Sequence, residues 1–67
     1  MTTKYIGPNC YRYRYFKSPL GFTKFLLDGF ISMKFINITE SNLPEEITEE
    51  QIEAFAKSEI KRIENLK

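Results

Sequence analysis

Tyrosine and arginine alternate along residues 10–16, which read Cys-Tyr-Arg-Tyr-Arg-Tyr-Phe. The chemistry these side chains offer is binding, not bond making. An extended chain sends successive side chains to opposite faces. Tyr11, Tyr13 and Tyr15 therefore share one face, and Arg12, Arg14 and Phe16 share the other. Single-stranded nucleic-acid readers use aromatics interleaved with basic residues, because rings stack on nucleobases and guanidinium groups hold phosphates. On that reading Arg12, Arg14, Tyr13, Tyr15, Lys17, Lys24 and Lys34 form a nucleic-acid surface. A plainer reading packs the three tyrosines against a helix with their hydroxyls at the rim, and leaves the arginines in water.

Catalytic arrangements are missing. The chain has no histidine to act as a general base. Cys10 is the single cysteine and has no histidine to activate it. The pairs Glu45-Glu46 and Glu49-Glu50 sit beside a helix start, where carboxylates satisfy the helix dipole. Gly7, Gly21 and Gly29 lack the spacing of a phosphate-cradling loop. We therefore expect no enzyme, no metal site, no cofactor and no small-molecule substrate.

One cysteine also excludes an intrachain disulfide, and fits a reducing, intracellular and cytoplasmic setting. No apolar stretch has the length of a signal-peptide core or a membrane span. The Asn37-Ile38-Thr39 triplet matches a glycosylation acceptor, and without an export signal it reads as chance.

Charge and aromatics divide the chain. Through Ile38 six basic residues face one acid, Asp28, and all ten aromatics but Phe55 lie there. From Thr39 onward eight glutamates face Lys57, Lys61, Arg62 and Lys67. A basic, β-like half is followed by an acidic helix. The organisation expected is a single small domain over residues 1–67: basic half 1–38, acidic connector 39–47 and amphipathic helix 48–66.

The helix carries the clearest signals. Thr48 and Gln51 have capping-box spacing, and Ile47 and Ile52 have staple spacing. Ile52, Phe55, Ala56, Ile60, Ile63 and Leu66 recur at steps of three and four, which lines one stripe. Acids gather in the first turn, and Lys61, Arg62 and Lys67 gather at the end.

Residues 10–16 read as a strand bounded by Pro8-Asn9 before and by Lys17-Ser18-Pro19-Leu20-Gly21 after. Residues 22–38 admit two readings. Asp28-Gly29 is a type I′ hairpin signal. It would pair Leu27 with Phe30 and Leu26 with Ile31. Phe22, Leu26, Ile31, Met33 and Phe35 would then form the core face. Phe25, Leu27 and Phe30 would lie on the opposite face, which one helix cannot also cover. The alternative is a short helix over residues 19–28, capped by Ser18 and stopped at Gly29, giving a β-α-β-α order.

The fold class expected is therefore α+β: a three-stranded antiparallel meander covered on one face by the C-terminal helix. Surplus apolar surface at Phe25, Leu27 and Phe30 marks a protein-binding site or a homodimer contact. The expected function is a small non-enzymatic protein-binding module, an adaptor or inhibitor of a bacterial or phage regulatory type. The alternative function is binding of single-stranded nucleic acid through the Tyr/Arg strand.

Overall fold

The computed structural model describes residues 1–7 and 10–66. The Pro8-Asn9 boundary and Lys67 lie outside the described residues. Four strands run in chain order: β1 (Thr2–Ile6), β2 (Tyr11–Ser18), β3 (Phe22–Ile31) and β4 (Lys34–Pro44). They form one antiparallel sheet in the order β1-β2-β3-β4, and the helix α1 (Glu49–Asn65) follows. The α+β class and the C-terminal helix match the expectation. The sheet has four strands rather than three.

The extra strand is β1, which pairs Lys4 with Tyr13 and Ile6 with Tyr11. The alternative helix at 19–28 does not form, because β3 occupies most of that span. The supposed acidic connector begins inside a strand. Leu43 of β4 pairs with Thr23 and is buried, so the glutamates mask a strand that reaches Pro44.

The β3–β4 turn also differs from the expected one. It lies at Ser32-Met33, four residues beyond Asp28-Gly29, and Ile31 pairs with Lys34 across it. Ser32 and Met33 have φ of 54° and 68°. Positive φ at both central residues is the signature of a type I′ turn. Asp28 and Gly29 stay inside β3, opposite Arg12 and Tyr11 of β2.

Moving the turn changes which residues share a face. Phe30 no longer follows a turn that would put it in phase with Leu27. Thr23, Phe25, Leu27 and Gly29 face the helix, while Phe22, Lys24, Leu26, Asp28 and Phe30 face away. The first set contains no charge, so a helix can bury it without stranding an ion. This reverses the expected core face.

Phe25 and Leu27 are fully buried, with Tyr13, Leu43, Ile52, Ala56 and Ile60 around them. Tyr13 stacks on Phe25 at 5.7 Å, and Phe55 meets Phe25 edge-on at 5.1 Å. Burying each large apolar side chain contributes about 1.5–3 kcal/mol. The helix start is built as its sequence implies. Thr48 Oγ1 accepts from the Gln51 amide at 3.2 Å, and the Thr48 amide donates to Gln51 Oε1 at 3.0 Å.

A bulge interrupts the β3–β4 ladder. Leu27 pairs with Thr39 but Asp28 pairs with Asn37, so Ile38 is the extra residue. Gly29 accommodates it. A Cβ at Gly29 would fall 2.6 Å from Ile38 Cδ1. The Asp-Gly pair thus serves strand packing instead of a turn.

Met33 is a poor residue for its backbone, because a side chain in the left-handed region costs roughly 1–2 kcal/mol. Met33→Gly should raise stability by about 1 kcal/mol, measured by urea unfolding. An unchanged or lower midpoint would show that the turn is not strained there.

Candidate functional site

No secondary-structure element among the described residues covers the second face of the sheet. That face collects Tyr5 from β1, Arg12, Arg14 and Phe16 from β2, and Lys24, Leu26, Asp28 and Phe30 from β3. Phe35, Asn37 and Glu40 of β4 complete it. Strand alternation places them all there, given the observed register.

Asp28 lies at its centre and is 1% exposed, without a helix above it. Side chains alone exclude water. Arg12 Nε donates to Asp28 Oδ2 at 2.8 Å, and Arg14 Nη2 donates to Oδ1 at 3.1 Å. Asn37 Nδ2 adds a contact to Oδ1 at 3.3 Å and also reaches the carbonyls of Leu27 and Thr39. Arg14 Nε stands 2.9 Å from Oδ2, close enough for ionic attraction. Its N–H is not aligned for a hydrogen bond, so that attraction is Coulombic.

Burial alone would push the Asp28 carboxyl pKa upward, because it penalises the charged form. Hydrogen bonds from Arg12, Arg14 and Asn37 outweigh it and hold the pKa below the usual value. Among the described residues no second layer lies above this carboxylate on its own side of the sheet. Its desolvation is therefore shallower than near-zero exposure would imply in a thick core. Arg12 is shifted upward, first by its bond to Asp28 and, among lesser contributions, by the Tyr5 hydroxyl.

Aromatic rings sit over this ion cluster. The Arg12 guanidinium lies 4.4 Å from the centre of the Phe35 ring. Phe35 meets Phe30 at 5.1 Å and Tyr5 at 5.8 Å. Tyr5 and Phe35 belong to the two edge strands, which stand about 14 Å apart in a flat sheet at ~4.8 Å per strand. Their rings reach toward each other across Arg12. Tyr5 and Phe30 remain 63% and 46% exposed. At the far end of the face Lys24 pairs loosely with Glu40 at 3.6 Å and donates to Asn42 at 3.3 Å.

The residues singled out from sequence divide between the faces. Phe25 and Leu27 are fully buried beneath the helix and offer no surface, whereas Phe30 is on the uncovered face. The expected grouping of those three is corrected for the phase reason given above. Arg12, Arg14 and Lys24 share the uncovered face. Tyr13, Tyr15 and Lys17 lie on the helix side, and Lys34 stands at the hairpin tip opposite Ile31. The stacking rings and the arginines are therefore on opposite sides.

The tyrosines pack as the plainer reading expects. Tyr13 is buried, the Tyr15 hydroxyl donates to Glu49 at 2.9 Å, and the Tyr11 hydroxyl reaches Glu64 at 3.5 Å. Partial burial raises all three phenol pKa values, and nearby glutamates add to the rise. The arginines differ from that reading, because Asp28 binds both.

Sequence reasoning missed Tyr5, Phe35, Asp28 and Asn37. One signal was present: Asp28 is the only acid among the first 39 residues. An isolated acid among bases, inside an apolar run, calls for a cationic partner. Among the described residues no group of three or more His, Cys, Asp or Glu side chains is placed to hold a metal ion. Among the described residues no helix is long and apolar enough to cross a membrane.

Asp28→Asn should lower stability at neutral pH by about 2 kcal/mol, because two arginines would face each other without their counter-ion. The folded carboxyl has the lower pKa, so its contribution is present above the unfolded carboxylate range. It is lost as pH falls through the depressed folded value. Urea midpoints across the acid range should fall less steeply in Asp28→Asn than in the native chain. Parallel curves would refute the role of Asp28.

No protein-family model matches this sequence, and neither a curated protein nor a solved structure matches it.

Proposed function

We propose that this chain is a non-enzymatic protein-binding module, an adaptor or inhibitor, that docks through its uncovered sheet face. The observation that carries the reading is the cluster of Tyr5, Phe30 and Phe35 beside two arginines. Aromatic residues and arginine are the types enriched at the energetic centres of protein interfaces. Here three rings and two guanidinium groups occupy one region of a face that no other element covers.

Area is compatible with the reading. A stable interface takes about 800 Å² from each partner. The whole accessible surface is 4760 Å², so such a contact would use about a sixth of it. At the hairpin tip Met33 adds a further exposed apolar side chain. The composition, with one cysteine, is consistent with an intracellular regulatory setting.

Nucleic-acid binding receives less support. Affinity for a polyanion grows with the number of phosphates that lysine and arginine neutralise. Arg12 and Arg14 share one carboxylate, and Lys24 stands beside Glu40. The tyrosines of the alternating strand are engaged with the helix and are not available as a stacking platform beside those arginines.

Phe30→Glu should abolish partner binding or self-association and leave the fold intact, since Phe30 is half exposed outside the core. Circular dichroism checks the fold, and light scattering with a pull-down checks assembly. Unchanged association in a folded variant would sink the proposal.

A further inference from the structure

The ion cluster on the uncovered face is not balanced. Two guanidinium groups surround one carboxylate, which leaves one positive charge over. The donor count is just as uneven. Each guanidinium carries five N–H groups, and a carboxylate has about four acceptor positions. Asp28 also accepts from Asn37, so most of the arginine donors have no acceptor in it. About a quarter of each arginine side chain stays exposed. Lys24 and Glu40, the other charges on this face, stand beside each other and leave the surplus at the arginines.

An apolar surface adjoins this cationic one. Arg12 lies against Phe35, and Phe35 touches both Tyr5 and Phe30. A ligand group that answers the surplus charge is thereby placed next to exposed rings. Guanidinium groups favour planar anions that accept two parallel hydrogen bonds, which carboxylates do.

Resting on the protein-binding reading, we propose that the face takes an extended acidic protein segment. An Asp or Glu carboxylate of that segment seats on Arg12 and Arg14, and a neighbouring apolar side chain seats on Tyr5, Phe30 and Phe35. A second copy of this chain is a poorer occupant. Face-to-face pairing would set surplus positive charge against itself. A nucleic-acid strand is poorer too, because one unmatched charge anchors at most one or two phosphates.

The test begins with a phage-displayed library of random linear peptides, selected on the immobilised full chain. An enriched peptide is then synthesised in two forms, one with its acidic residue and one with the matching amide. Enriched sequences should place Asp or Glu beside Phe, Leu, Ile or Met. The amide form should bind about tenfold more weakly, as expected for loss of a charge-assisted contact. This comparison does not alter the protein, so it is free of any folding defect. Arg12→Lys, which keeps the charge but loses the planar fork, should reduce the difference between the two peptide forms.

Peptides that bind, lose binding in Phe30→Glu, and carry no acidic residue would overturn the carboxylate proposal alone. Equal binding of the two peptide forms would do the same. Failure to enrich any peptide that Phe30→Glu releases would overturn this proposal and the protein-binding reading together. Displacement of the peptide by a poly-uridine oligonucleotide at physiological salt would overturn it in favour of nucleic acid.

Discussion

A charged carboxylate held on the bare side of a single sheet is the constraint around which this structure is arranged. Asp28 is shut off from water, yet no helix lies above it. It stays ionised because β2 brings it two arginines, Arg12 directly opposite and Arg14 two residues along the same strand. An unpaired ion there would be penalised by several kcal/mol. The register of β2 on β3 is therefore tied to this contact. A slip of one residue would send both arginines to the helix side and leave Asp28 without them. The same slip would bring the buried rings of Tyr13 and Phe25 out of phase.

The two faces follow from that arrangement. One helix of 17 residues can cover one side of the sheet, and it takes the side on which the central strand β3 carries no charge. Thr23, Phe25 and Leu27 are available for it because Lys24 and Asp28 alternate to the other side. What remains there is covered by side chains alone, so ionic and aromatic groups do the shielding that a second helix would do in a larger domain. This division explains how a chain of 67 residues has a packed core on one face and an ionic and aromatic surface on the other.

Much of this was legible in the sequence, and the misses have physical causes. The helix was readable to its caps because Thr48, Gln51, Ile47 and Ile52 act within a few residues of one another. The alternation of Tyr11 to Phe16 gave the correct partition of tyrosine and arginine. The hairpin turn was misplaced because Asp28-Gly29 satisfies local turn chemistry, while Ser32-Met33 does not. Tertiary contacts overrode the local preference: Asp28 answers Arg12 and Arg14, and Gly29 makes room for Ile38. With the turn misplaced, the phase of Phe30 was wrong, and Tyr5 and Phe35 went unrecognised as neighbours. Their proximity depends on pairing four strands in register, which no local pattern encodes.

The strand order bears on how the chain acquires its structure. Every strand pairs with its sequence neighbour, so each hairpin closes a short loop with a small entropic barrier. Such topologies have low contact order and fold quickly for β proteins. Yet the meander alone leaves Phe25 and Leu27 facing water, and an uncovered sheet is marginal. The helix, which follows all four strands, must dock before that apolar side is protected. Its contacts with Tyr11 and Tyr15 join segments 53 and 34 residues apart. Rapid local zippering followed by one long-range closure makes the helix the lock of a cooperative transition. With the helix undocked, Phe25 and Leu27 would be exposed, and exposed apolar surface of that kind favours aggregation.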